Sequence, residues 1–398
     1  MADMTAFRWG GAILAAFMVP AAAEDFPALS PFSADLGIAT LSAGGTVQAS
    51  GFAAFQPAPA KDAVRASGAA TLTAGLSREY DSGLMLGLDT AFQLYSDRLS
   101  GDNYGNDFVQ KAYGRAETGL GNVEIGMTDG AAYALAVTGP AVNGETALDN
   151  PNATFFRDPS TGRAVIEAFT LNSAVEPSVN FAKMSYYTPQ LFGVEIGVSY
   201  TPSMTKGGLP FLKGGPKAAD RQESLWETAI RYRGELGPFE AALSFGAAFA
   251  HADEGMKTAG HQGLSEWAAG AEISYPIDDD TKISFGGAYR RSNAYRFDLL
   301  DVRDVGETSS ARLSAKWEQG PWSFGVEYGD GTADGGLPGS TIGMRGYGAA
   351  AGYALNDNLA LTLGWQDLRY GRDGGAFYNG RPSLDLDAVY LHLRFAVE

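Results

Sequence analysis

The stretch A-V-Y-L-H-L-R-F-A-V-E, residues 388–398, decides how this chain is read. From Val389 every second residue is apolar: Val389, Leu391, Leu393, Phe395 and Val397, with Tyr390, His392 and Arg394 between them. A period of two belongs to a strand with one bulky apolar face and one polar face. In a water-soluble fold the apolar face needs a core to turn to. In a membrane it can turn to lipid.

The same pattern fills the chain. F-E-A-A-L-S-F-G-A-A-F-A (239–250) sets Phe239, Leu243, Phe245 and Phe249 against Glu240, Ser244 and Gly246. W-S-F-G-V-E-Y (322–328) sets Trp322, Phe324, Val326 and Tyr328 against Ser323, Gly325 and Glu327. The second face is built from Gly, Ser, Thr and full charges, and the apolar faces often end in an aromatic, as at Tyr200, Tyr275, Trp317, Trp322, Tyr328 and Tyr353. Rings with an apolar body and a polar tip suit a lipid–water boundary. A β-sandwich also alternates, but has less reason to place rings at strand ends or to hold so many strands in one unit.

Sixteen strands are expected, over 46–56, 67–78, 83–95, 107–118, 122–128, 179–188, 192–201, 223–234, 238–250, 264–275, 281–292, 308–318, 321–329, 341–354, 358–370 and 384–397. Fourteen or eighteen also fit the pattern. The connections alternate between tight turns, as at Asp81-Ser82, Leu236-Gly237 and Asn356-Asp357, and longer polar loops, as over 202–222 and 371–382. Short turns on one rim and long loops on the other mark an antiparallel up-and-down transmembrane β-barrel of a bacterial outer membrane. Parity supports this. Arg290, Arg312 and Lys316 all fall opposite the apolar face, where lipid would cost each about 2–4 kcal/mol.

Composition narrows the function. The 398 residues contain no cysteine, which removes disulfides, thiol catalysis and cysteine-ligated metals. A net charge of −17 argues against a nucleic-acid partner; it suggests cations as solutes unless the external loops carry much of the charge, which leaves ion preference open. Arg8, the apolar run Gly10–Val19 and Ala21-Ala22-Ala23 read as a signal peptide over 1–23, with Met1 or Met4 as the start. Residues 24–45 follow as an N-terminal periplasmic segment and 46–398 as the barrel. The three histidines, His251, His261 and His392, lack metal-ligand spacing, and no nucleophile motif accompanies His251 or His261 near Asp253, so neither cofactor nor catalysis is expected. Y-P-I-D-D-D (275–280) fits a β-turn better than a calcium loop. D-G-T-A-D-G-G (330–336) is a more plausible divalent-ion loop, and the basic K-G-G-L-P-F-L-K-G-G-P-K (206–217) could meet lipopolysaccharide phosphate or simply be solvated.

One connection is irregular. Residues 129–178 run far beyond the usual loop length and carry Glu145, Asp149, Asp158, Glu167 and Glu176 beside only Arg157 and Arg163. Such a stretch is either an acidic external loop or a loop folded into the barrel. L-G-N-V-E-I-G-M-T-D-G (120–130), the insertion, and V-N-F-A-K-M-S-Y-Y-T-P-Q-L-F-G (179–193) together resemble the general porins of Gram-negative bacteria, especially those of α- and β-proteobacteria. The matching positions of the return strand are Lys183, Tyr186, Thr188, Pro189, Leu191 and Gly193. The resemblance implies a sixteen-stranded barrel, usually a homotrimer in outer-membrane lipid and lipopolysaccharide, with its third external loop bent into the lumen. It implies acidic loop residues, here Glu145, Asp149, Asp158, Glu167 and Glu176, facing a basic wall. Wall candidates are Lys111, Arg115, Lys183, Arg290, Arg312 and Lys316. Where many relatives carry a further basic residue this chain has Met127. The function implied is passive diffusion of small hydrophilic solutes and ions; a solute-specific channel and a closed structural or adhesive barrel are the alternatives.

Overall fold

The computed structural model describes residues 29–55, 63–96, 108–149, 171–178, 181–203, 222–252, 254, 257, 263–293, 307–334, 341–373 and 383–397. The expected signal peptide, the basic loop 206–217, Asp253 and His261 lie outside them.

The described strands form one antiparallel sheet of seventeen. In chain order they are β1 (Phe32–Asp35), β2 (Thr40–Phe55), β3 (Ala63–Glu79), β4 (Met85–Ser96), β5 (Val109–Thr118), β6 (Gly121–Met127), β7 (Ala182–Tyr187), β8 (Val194–Ser203) and β9 (Gln222–Leu236). There follow β10 (Phe239–Ala252), β11 (Ser265–Pro276), β12 (Thr281–Ser292), β13 (Thr308–Gln319), β14 (Trp322–Asp334), β15 (Thr341–Ala354), β16 (Leu359–Asp373) and β17 (Ser383–Val397). From β2 onward each strand pairs with the next, and β17 returns to β2 from Asp387↔Phe55 to Val397↔Gly45. The result is a closed barrel of sixteen strands, the number expected, with no free edge.

Burial settles which face is outside. On β13, Arg312 is 1 % exposed and its neighbour Leu313 is 62 % exposed. Leu243, Phe245, Phe249, Ile273, Phe285, Val326, Leu391 and Leu393 are exposed in the same phase. This inverts a soluble protein and suits a wall surrounded by lipid. No helix among the described residues is long and apolar enough to cross a membrane; the strands do so instead. Rings bound the apolar band. Phe239 meets Tyr275 at 5.4 Å and Trp322 meets Tyr353 at 4.6 Å near the short turns; Trp267 meets Tyr289 and Tyr328 meets Tyr347, each at 5.4 Å, nearer the long loops. Above Tyr328 the outward face becomes charged, with Arg345 on Asp330 at 3.2 Å. Phe245→Arg, in the middle of the band, is therefore expected to cost about 2–4 kcal/mol in lipid unfolding measurements, and Glu272→Arg, on the opposite face, clearly less.

Several boundaries differ from expectation. β2 begins at Thr40 rather than 46, and β1 pairs with its first residues, Phe32↔Ala43 to Asp35↔Thr40. Below Val397 the last strand has ended, and β1 takes its place beside β2. Asn358 ties this seam: it donates to the carbonyls of Leu29 at 3.0 Å and Ala396 at 2.7 Å. The last strand runs to Val397, as expected, past Phe395. β14 continues to Asp334, so Asp330 and Asp334 lie in a strand that was expected to end at 329. The 275–280 stretch is a turn: Asp278 accepts from the Asp280 N–H at 3.0 Å. Bonds from the Thr281 hydroxyl and from the Asp280 backbone hold the Asp278 carboxyl below the usual carboxylate range.

Candidate functional site

The long connection leaves β6 at Met127 and returns at β7. Its described parts are 128–149 and 171–178; Asp158 and Glu167 lie outside them. Both limbs lie against the inner face of the wall, the face opposite the exposed apolar residues. Lys183 on β7 binds their bases together, donating to the carbonyls of Thr128 and Ser178. A one-turn helix, α1 (Ala131–Ala134), follows. Its Ala131 N–H donates to Ser199 Oγ on β8 at 3.0 Å, and its Ala132 N–H to Glu227 Oε2 on β9 at 3.2 Å. The Ser178 hydroxyl also donates to Glu227. The buried carboxylate thus accepts hydrogen bonds from both limbs.

From there the first limb crosses strand after strand. Val137 N–H donates to Ser244 Oγ on β10 at 2.8 Å. Arg312 on β13 is the central clamp. It donates to the carbonyls of Thr138, Gly139 and Pro140 at 3.1, 3.4 and 3.2 Å. It also pairs with Asp149 of the loop and Glu327 of β14, each at 3.1 Å. Only a guanidinium presents enough donors in a rigid fork for five such partners. Glu327 in turn accepts from the Leu148 N–H at 2.9 Å, and Gln366 on β16 donates to the Thr146 carbonyl at 2.6 Å.

The wall makes room for the limb by leaving out side chains. A Cβ on inward-facing Gly270 would stand 1.7 Å from the Val137 carbonyl oxygen. One on Gly286 would stand 2.8 Å from Gly139 Cα, and one on Gly325 2.7 Å from Val142. On Gly329 and Gly346 it would meet Leu171 at 2.5 and 2.6 Å. Apolar side chains complete the seat. Ala132 and Val175 pack with Leu225, Ala248 and Leu264. Leu148 and Leu171 are buried on the part of the inner wall that carries Ile342, Met344, Leu368 and Leu386, all nearly inaccessible. That part of the inner face is apolar because loop, not water, covers it.

The expected wall and loop residues separate into two groups. Lys183, Arg290 and Arg312 face inward but are buried. Arg290 pairs with the equally buried Glu266 on the adjacent strand. Lys111, Arg115 and Lys316 keep partial exposure. Lys111 meets Asp129 at 2.5 Å, Arg115 meets Asp89 at 2.8 Å and also Glu117, and Lys316 meets Glu318 at 2.7 Å. On the loop, Asp149 is held by Arg312 and by the Ser173 hydroxyl, Glu176 accepts from the Asn172 amide, and Glu145 opens a 3₁₀ turn, Gly144–Thr146. Met127 lies in the outward phase of β6, beside Ile125 and Val123. Tyr390 and His392 point inward as expected but are buried rather than facing pore water; His392 Nδ1 lies 2.7 Å from Ser50 Oγ across the β17–β2 seam. Sequence reasoning missed Glu227, Glu266 and Glu327. Their inward parity was readable, but not that the loop and its basic partners converge on them.

A closed sixteen-strand barrel with a lipid-facing exterior and a long connection seated on its inner wall defines an outer-membrane channel. A family model described as Gram-negative porin matches residues 10–374, and the chain belongs to that family. No curated protein sequence matches the chain. Among solved structures, the outer-membrane channel DcaP of Acinetobacter baumannii superimposes with a TM-score of 0.60 at 12 % identity, over 92 % of this chain and 100 % of that one. The anion-selective porin from Comamonas acidovorans gives 0.53 at 16 %, over 90 % and 99 %. OmpT of Vibrio cholerae in its trimer form gives 0.53 at 10 %, over 90 % and 99 %. At these identities the likeness is one of fold. The family places the protein in the outer membrane as a channel for passive diffusion of solutes.

Proposed function

We propose that the chain works as a general porin, in which the 129–178 connection narrows a water-filled lumen and admits small hydrophilic solutes and ions by size and charge. The observation that carries this reading is the anchoring of the loop to the inner wall by Lys183, Glu227, Arg312 and Gln366. A loop held at that many points acts as a fixed constriction rather than a floppy external segment. Transport of this kind involves no covalent chemistry and no energy input. The working unit is a homotrimer in lipid and lipopolysaccharide, as the family resemblance implies and the trimeric OmpT structure supports.

Purified protein in a planar bilayer tests the reading. Stable ohmic steps of open-pore size are expected, and silence at high protein would reject it in favour of a closed structural barrel. Deleting residues 140–170 is expected to raise the step size; an unchanged step would remove the constricting role from the loop. Unheated protein migrating on a denaturing gel as an extended monomer would reject the trimer.

A further inference from the structure

The described limbs of the loop lie mostly on one part of the inner wall, and the part they touch least has its own charge pattern. The anchoring contacts fall on β7 to β10 and β13 to β16. They withdraw two of the six cations expected to line the pore, Lys183 and Arg312; a third, Arg290, is buried against Glu266 of the neighbouring strand. Across the lumen β4–β6 keep their inward side chains partly exposed, and a recess of about 360 Å³ in front of them is lined by Ser42, Thr73, Asp89, Lys111 and Tyr113. Counted from the short turns, Asp89 is four residues above Met85, and Arg115 and Glu124 are each three from the ends of β5 and β6. Gly325, under the loop, is three above Trp322 on β14. Asp89, Arg115 and Glu124 therefore stand at about the height of the loop's first described limb.

Four residues further up β5, Lys111 is balanced by Asp129 at the start of the loop. Arg115 pairs with two carboxylates, Asp89 at 2.8 Å and Glu117, and Glu124 stands opposite it in register on β6. Among the described residues Glu124 itself bonds to neutral groups, the Thr128 hydroxyl at 2.9 Å and the Asn122 amide at 3.1 Å. Four carboxylates against two cations leave this strip two charges negative. We infer that the channel prefers cations, and that Glu117 and Glu124, with Arg115 opposing them, set the preference. Solute charge is read mainly by this strip of wall, because across the lumen Arg312 is spent on holding the loop and Arg290 on Glu266. The inference rests on the chain being an open channel.

Reversal potentials across a planar bilayer in a potassium chloride gradient test it. The wild type is expected to show the sign of cation preference. Glu117→Gln with Glu124→Gln should lower the cation-to-anion permeability ratio about fourfold per charge removed, since a unit charge across roughly 8 Å of water changes cation and anion about twofold each, in opposite directions. Arg115→Gln should raise it. The effects should shrink in concentrated salt. Anion preference in the wild type, or variants that leave the potential unmoved or shift it together, would overturn the assignment. Absence of conductance would instead overturn the channel reading. A heat shift on a gel confirms that each variant is folded, and Glu124→Gln alone replaces the double variant if that one fails.

Discussion

Arg312→Ala is expected to lower barrel stability by about 3–5 kcal/mol and to raise single-channel conductance. The guanidinium is 1 % exposed and serves two carboxylates and three consecutive carbonyls. Removing it leaves Asp149 and Glu327 facing each other without a counter-charge in a poorly solvated pocket, which is the costly way to break a buried pair. The Thr138–Pro140 backbone loses its tether at the same time, so the loop leaves the wall. Arg312→Lys should recover only part of either effect, because an ammonium cannot span five partners. Arg312→Met combined with Asp149→Asn and Glu327→Gln separates the two roles. It removes the stranded charges, so stability should return, while conductance stays high because the carbonyl bonds are still missing. Denaturant unfolding in detergent and bilayer recording on the same variants check this. A normal conductance in Arg312→Ala would show that the loop is held elsewhere.

Gly270→Val is the second large effect. The added Cβ would lie 1.7 Å from the Val137 carbonyl oxygen, a separation no side chain can relieve, since the obstacle is backbone. Either the limb lifts or the strand bulges, and overpacking of this kind costs about 1–3 kcal/mol. Conductance should rise and should fluctuate more. The response should be graded along the groove: Gly325→Val, meeting a flexible Val142 side chain at 2.7 Å, should do less, and Gly246→Val, meeting Ala132 Cβ at 3.2 Å, least. Equal effects at all three, or none at Gly270, would reject the glycine groove as the seat of the loop.

Much of the barrel was legible because a strand's two faces have opposite solvents. Phe239, Leu243, Phe245 and Phe249 alternate with Glu240, Ser244 and Gly246 strongly enough to locate a strand and name its outer face, and all sixteen expected barrel strands are present. The ends were less legible. Above the aromatic rings β14 continues into Asp330 and Asp334, and β2 starts in the Gly- and Ala-rich 40–45 stretch, where composition carries no alternation. Inward glycines were visible as a bland polar face, yet their meaning was not. Gly270 looks like any lumen residue until Val137 is found lying across it.

What the sequence determined by itself is therefore local and periodic: the strands, the face each residue presents, the membrane barrel and the unusual length of one connection. Parity placed Lys111, Arg115, Lys183, Arg290, Arg312 and Lys316 on the inner face alike. Only the tertiary structure divided them, burying Lys183, Arg290 and Arg312 and leaving Lys111, Arg115 and Lys316 partly exposed. The reason is that exposure inside a barrel is decided by what crosses the lumen. Arg312 meets Asp149 from 163 residues away, and no short-range pattern encodes a contact between a loop and the far wall.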